Sequence, residues 1–214
     1  MINSERLVTF INSLDMGNDD LLNEIEDEAL RNRIPIIRKE TQSLLRTLVE
    51  LKRPATILEA GTAVGFSAIL MAKSGRSDSM ITTMENYEVR IPLARENIKK
   101  AGLENRIKLI EGDAVKIMGE LEGPYDMIFI DSAKGQYINM LPMAKRLLPP
   151  GGLLVSDNVL QDGEVIESRY AVTRRNRTIH SRMRDYLYEL THDPELESVI
   201  LPVGDGITVT VKKS

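Results

Sequence analysis

Two runs of apolar residues end abruptly on hard oxygen donors. In FIDSAKGQY (129–137) the run Met127-Ile128-Phe129-Ile130 stops on Asp131, and Lys134 follows three positions later. In LLVSDNVL (153–160) the run stops on Asp157 and Asn158. Two carboxylates and an amide oxygen at neighbouring strand ends suit Mg2+, which takes oxygen ligands and keeps positions open for water or substrate. Either acid alone serves as well as a helix cap or turn residue. Beside a divalent cation in a partly desolvated site, Lys134 is pushed toward its neutral form and can take a proton from a hydroxyl. The plainer reading of Lys134 is an ion pair with a nearby acid.

A third stretch, ILEAGTAVGFSAI (57–69), runs from a strand pattern through a glycine loop into a helix pattern. Gly61 and Gly65 let the backbone turn tightly and approach a ligand. The spacing E-x-G-x-x-x-G differs from the G-x-G-x-x-G of dinucleotide sites. Glu59 would repel a pyrophosphate and suits a cationic or zwitterionic ligand better. Glu85 closes the next β-like run, where a carboxylate can accept from ribose hydroxyls. Asp113, in EGDA after the third run, can accept from an adenine amino group. A glycine-rich turn flanked by surface acids is the alternative; the three acids at strand ends favour a nucleoside-type ligand.

These residues need elements to hold them. Strand patterns fall at 55–60, 80–85, 106–111, 125–130 and 152–156, with helix patterns between them at 65–74, 87–101, 114–121 and 135–148. That alternation predicts an α/β fold built on a parallel sheet. In such sheets ligands bind outside the carboxyl ends of the strands, where the candidate residues stand. The tail ESVILPVGDGITVTVKK (197–213) reads as two β runs joined by a GDG turn, predicting an antiparallel C-terminal strand. Helix patterns at 4–14, 19–31 and 38–52 precede the sheet. The chain is expected to form one domain, with 1–52 a helical cap and 53–214 the α/β core.

Composition removes several chemistries. The chain of 214 residues has no cysteine, which excludes disulfides, thiolate metal sites and cysteine nucleophiles. No apolar run approaches a membrane span, and the N-terminus lacks the pattern of a secretory signal, so a cytoplasmic protein without membrane contact is expected. The net charge of −4 hides an asymmetry. Residues 1–30 are strongly acidic, whereas Arg169, Arg174, Arg175, Arg177, Arg182 and Arg184 stand in a stretch with no acid before Asp185. The two histidines, His180 and His192, read as surface residues, and the methionines as fillers of core or acceptor-pocket gaps.

The stretches ILEAGTAVGFSA, EGDA, FIDSAKGQY, LPPGGLLVSDNVL and LPVGDGITVTVKK together resemble the cation-dependent, S-adenosylmethionine-dependent class I O-methyltransferases, the family of the catechol and caffeoyl-CoA enzymes. The resemblance spans nearly the whole chain and implies a Rossmann-like class I methyltransferase fold: a seven-stranded, mostly parallel sheet with an antiparallel C-terminal strand and helices on both faces. It implies that Asp131, Asp157 and Asn158 hold Mg2+ and that Lys134 is the general base. Glu59, Gly61, Ser67, Glu85, Gly112 and Asp113 would line the S-adenosylmethionine pocket, with Asp131 reaching the cofactor amine. Ile37 and Arg38, in IPIIRKE, match a segment that closes over the cofactor. A homodimer is also implied.

The acceptor is less directly written. Gln161 stands where small-aromatic enzymes of the family often carry an aromatic residue. The arginines can neutralise phosphates and grip RNA, with Tyr170 and Tyr186 placed for base stacking. A solvated, salt-bridged helix face would show the same composition. The overall pattern most resembles the bacterial branch that methylates 5-hydroxyuridine at the tRNA wobble position, which makes tRNA the expected partner and Arg169, Arg174, Arg175, Arg177 and Arg182 its expected contacts. The uracil 5-hydroxyl and 4-carbonyl are vicinal oxygens and can chelate Mg2+ as a catechol does. A small catechol-type acceptor and a non-catalytic RNA-binding module are the competing readings. The first thirty residues are expected to cover the acceptor site or pair with a second subunit.

Overall fold

The strand patterns resolve into a single seven-stranded sheet in the computed structural model, which describes residues 4–214. The strands are β1 (Thr56–Ala60), β2 (Met80–Glu85), β3 (Ile107–Glu111), β4 (Met127–Ile130), β5 (Leu153–Ser156), β6 (Leu196–Leu201) and β7 (Ile207–Lys212). Their order is β3-β2-β1-β4-β5-β7-β6, with β7 antiparallel to both of its neighbours and β1 to β5 mutually parallel. Helices on both faces explain why the central strands are apolar on both sides rather than alternating. Ile57, Met127, Phe129 and Val155 face one core layer, and Leu58, Ile128, Ile130 and Leu154 the other.

Three helices precede the sheet, α1 (Glu5–Ser13), α2 (Asp20–Arg31) and α3 (Lys39–Lys52). Ser4 and Asp19 cap α1 and α2 through their side-chain oxygens. Between the strands lie α4 (Phe66–Ser74), α5 (Ile91–Lys100), α6 (Ala114–Glu120) and α7 (Tyr137–Leu147). The helix expected from residue 87 begins four residues later, at Ile91, with Pro92 in its first turn, because residues 87–90 form a turn instead. Lys134–Gln136 form a single 3-10 turn that leads into α7, so Lys134 lies just before that helix.

The arginine-bearing stretch divides into a loop and α8 (Arg177–His192). The buried face of α8 carries His180, Met183, Tyr186, Leu187 and Leu190, an i, i+3, i+6, i+7, i+10 stripe packed on the sheet layer. Two residues of this helix depart from the sequence expectation. His180 is buried, not a surface residue, and Tyr186 is fully buried and cannot stack on a base. Both lie on the apolar stripe of the helix, and burial follows the face. His192, at the end of α8, is exposed as expected. Among the described residues no helix is long and apolar enough to cross a membrane.

Candidate active site

Strand order reverses between β1 and β4, because the chain lays β2 and β3 on one side of β1 and then returns to place β4 on the other. The loops that leave the two strands part there and open a crevice. A cavity of about 790 Å3 occupies it. Gly61, Glu85, Gly112, Asp113, Asp131 and Lys134 all line this cavity, as do Asp157 and Asn158. Among the described residues of the N-terminal helical region, only 35–38 reach it, bringing Ile37 and Arg38; no residue of α1 or α2 is on its wall.

The glycine loop is shaped by a contact with β4. Gly61 has φ +104°, and a Cβ there would lie 2.1 Å from the Asp131 carbonyl oxygen. Only glycine lets this loop pass so close to the end of β4. Glu59 and Ser67 lie beneath the loop rather than on the cavity wall. The Ser67 and Thr83 hydroxyls donate to the two Glu59 carboxylate oxygens, and Thr62 Oγ1 lies 2.6 Å from Thr83 Oγ1. Because Thr83 spends its proton on Glu59, Thr62 donates to Thr83. Full burial pushes Glu59 up to about 7 against the lowering effect of these hydroxyls, with the charges of Asp131 and Glu85 adding to the rise.

At the far end of the cavity Glu85 is held by three backbone amides. Ala63 donates to Oε2 at 2.8 Å, and Asn86 and Tyr87 donate to Oε1 at 3.0 and 2.9 Å. A carboxylate has about four lone-pair positions, so these bonds fix its orientation and leave capacity for ligand hydroxyls. Asp113 is the N-cap of α6, accepting from Lys116 N at 3.0 Å while also lining the cavity. Tyr87 and Arg90 stand beside Glu85 on the wall, with the Arg90 guanidinium 5.1 Å from the Tyr87 ring centroid. Sequence reasoning missed both; their position directly after a strand-terminal acid is the signal that points to them.

At the near end five polar side chains converge. Asp131 Oδ1 accepts from Lys134 Nζ and from Asn158 Nδ2, each at 3.0 Å. Lys134 Nζ also donates to the Tyr137 hydroxyl at 3.2 Å. Asn158 adopts φ +60°, a left-handed conformation that asparagine tolerates, and its backbone N–H donates to Asp157 Oδ1 at 2.8 Å. Burial pushes Asp157 up to about 7; the Asp131 charge adds to this, and Lys134 opposes it. Among the described residues no group of three or more His, Cys, Asp or Glu forms a cation cage. The donor set here is two aspartates and an asparagine amide oxygen. It fits Mg2+, which prefers few protein oxygens with water completing its shell, and two mutually repelling acids favour a cation between them.

Arg38 closes the mouth. Its guanidinium reaches Asp205 Oδ1 at 2.6 Å and Asp162 Oδ1 at 3.1 Å, joining the 35–38 segment to the β6–β7 turn and to the loop after β5. Asp205 lines the cavity and was not foreseen. The GDG turn that contains it marks a hairpin and part of the family resemblance in the sequence, with no role for its acid, although an acid between two glycines at a sheet edge is itself a signal. Burial and the adjacent Asp162 raise Asp205 to about 6, against the lowering influence of Arg38.

Of the expected RNA contacts, Arg169, Arg174 and Arg175 are exposed in the loop before α8 and form no ion pair with any described residue. On α8, Arg177 donates to the Val172 carbonyl, and Arg182 donates to the Gly135 carbonyl at 3.0 Å. Arg182 thereby touches the 3-10 turn that carries Lys134. Tyr170, in the same loop as Arg169, is exposed.

A seven-stranded sheet of this order, with a cavity at the switch point lined by acids from successive strand ends, defines the Rossmann-like methyltransferase class. A family model described as O-methyltransferase matches residues 12–213. Caffeoyl-CoA O-methyltransferase 2 of Populus trichocarpa is 35% identical over 179 residues, covering 77% of this chain and 70% of that protein. Catechol O-methyltransferase of Niastella koreensis is 38% identical over 127 residues, 58% of each chain. The solved O-methyltransferase of Bacillus cereus in complex with SAH superposes with a TM-score of 0.84 at 26% identity, covering 97% of both chains. The chain belongs to this O-methyltransferase family, and its activity is S-adenosylmethionine-dependent O-methylation.

Proposed function

We propose that this enzyme uses Mg2+ and methylates 5-hydroxyuridine at the wobble position of tRNA, giving 5-methoxyuridine. The observation that carries this reading is a set of exposed arginines in the loop that leads into α8, the helix whose Arg182 touches the turn of Lys134. Arg169, Arg174 and Arg175 are exposed without carboxylate partners among the described residues, and Arg182 is bonded to the turn that bears Lys134. Unpaired arginines suit phosphates and exposed bases, whereas a merely solvated helix face would pair them with its own acids.

Asp131, Asp157 and Asn158 would hold Mg2+, which when bound supplies positive charge that acidifies a hydroxyl and orients two vicinal acceptor oxygens. The chain's own groups do the rest. Lys134 Nζ takes the proton of the acceptor hydroxyl, and the oxygen left behind attacks the sulfonium methyl. The new O–CH3 bond forms as the S–CH3 bond breaks, with the electron pair leaving on sulfur. Glu85 and the glycine loop fix the cofactor so that the methyl faces the oxygen, and this orientation supplies much of the rate.

A small catechol or caffeoyl-CoA-like acceptor is the second reading, supported by the names of the relatives above. Labelled S-adenosylmethionine and Mg2+ are to be supplied with tRNA from cells that lack the enzyme and, separately, with a panel of catechols. Label is expected in the tRNA, at a single uridine. Label confined to the catechols would overturn the tRNA reading.

A further inference from the structure

FIDSAKGQY ends on a tyrosine that the chemistry above leaves unused. Tyr137 opens α7 and is fully buried, yet its hydroxyl has three polar neighbours. The Asp157 carbonyl oxygen lies at 3.0 Å, the Ile130 carbonyl oxygen at 3.3 Å and Lys134 Nζ at 3.2 Å. A phenol has one proton to donate and lone pairs to accept with. The shorter contact gives that proton to the Asp157 carbonyl, leaving the oxygen to accept from Lys134. The same hydroxyl therefore joins the ends of β4 and β5, which carry Asp131, Asp157 and Asn158, to the lysine between them. From behind, the Tyr137 ring packs edge-on against Tyr186 with centroids 5.5 Å apart, and the Tyr186 hydroxyl is fixed 2.6 Å from Ser156 Oγ.

We propose that Tyr137 is a positioning residue for the methyl-transfer step, holding Lys134 Nζ in fixed relation to Asp131. Lysine is a flexible four-carbon stem whose ammonium rotates freely unless it is tied. Nζ has three bonding directions beyond its stem. When one is taken by an N–H to Asp131 Oδ1 and another by an N–H to the Tyr137 oxygen, a single tetrahedral direction is left for exchange of a proton with the acceptor. Asp131 alone would leave the amine free to swing about one bond. The inference rests on Lys134 acting as the base.

The test is a double-mutant cycle on the full chain with S-adenosylmethionine, Mg2+ and hypomodified tRNA, using Tyr137→Phe, Lys134→Ala and the pair. Tyr137→Phe keeps the ring and its packing on Tyr186 while removing the oxygen. It is expected to lower kcat about 10- to 100-fold, the loss typical of a removed hydrogen bond to a charged group, and to leave KM for the cofactor within about twofold. In the Lys134→Ala background it is expected to have no further effect. Tyr186→Phe, which loses a hydroxyl from the same cluster that does not touch Lys134, is the packing control and should change kcat little. Unchanged kcat in Tyr137→Phe overturns the proposal, as does an equal loss with and without Lys134 or a loss matched by Tyr186→Phe. Wild-type turnover by Lys134→Ala would instead sink the assignment of the base.

Discussion

Glu59 makes the glycine loop pH-sensitive in a way that Glu59→Gln exposes. Its carboxylate ionises near 4.5 when solvated and is raised to about 7 in the fold by burial. A raised carboxylate stabilises the protein only while it is protonated: that stability is complete below 4.5 and is lost as pH rises through about 7. At about 1.4 kcal/mol per pH unit, the displacement corresponds to about 3 kcal/mol. Glutamine occupies the same space and does not titrate. The melting temperature of Glu59→Gln relative to the parent should therefore climb between pH 5 and pH 8.5 by roughly 6–12 °C, at roughly 2–4 °C per kcal/mol for a chain of this length. The assay is thermal unfolding of both proteins in EDTA without cofactor, because ligand binding would add its own pH dependence. At pH 5 the variant gains nothing, since both side chains are neutral and the amide must set its NH2 against hydroxyls that now donate. A difference that stays flat across the range would refute the idea that burial holds the proton on Glu59.

Gly61→Ala places a methyl 2.1 Å from the Asp131 carbonyl at a φ of +104°, and should weaken S-adenosylmethionine binding about tenfold or more, read by calorimetry. Gly17→Ala is the control, since it shares a positive φ but meets no atom within 4 Å. Asp131→Asn should weaken Mg2+ binding at least about tenfold and abolish turnover with the fold intact by circular dichroism. Full activity in that variant, together with indifference of the parent to EDTA, would remove the metal from the mechanism. Replacing Arg169, Arg174 and Arg175 with alanine should raise KM for tRNA and reduce the salt slope of RNA binding by roughly 0.7 per arginine in contact, leaving cofactor affinity unchanged. An unaltered salt slope would place the RNA elsewhere on the surface.

Much of the site was readable because it is local. Asp131, Asp157, Asn158 and Gly61 each follow an apolar strand and Glu85 ends one, so strand-end position alone marked them as facing one edge of a parallel sheet. The motif order then indicated which strands are neighbours. Glu59 illustrates the limit of that reasoning. Its place at the end of β1 was legible, but alternation along the strand turned its side chain under the loop, into the hydroxyls of Ser67 and Thr83.

Sequence by itself determined the α/β alternation, the glycine loop and the polar strand ends, because each depends on a few consecutive residues and their backbone preferences. Tertiary structure alone decided the rest. His180 and Tyr186 are buried because α8 turns that face to the sheet, and a helix can choose its face only once it has a partner. Asp205 enters the site because β6 runs in the same direction as β1 to β5, so that its turn into β7 arrives at their carboxyl edge. Arg38 reaches Asp162 across most of the chain, a meeting that no local pattern encodes. Tyr137, the last letter of a motif read for its aspartate and lysine, acquired its three partners only when the ends of β4 and β5 were paired side by side.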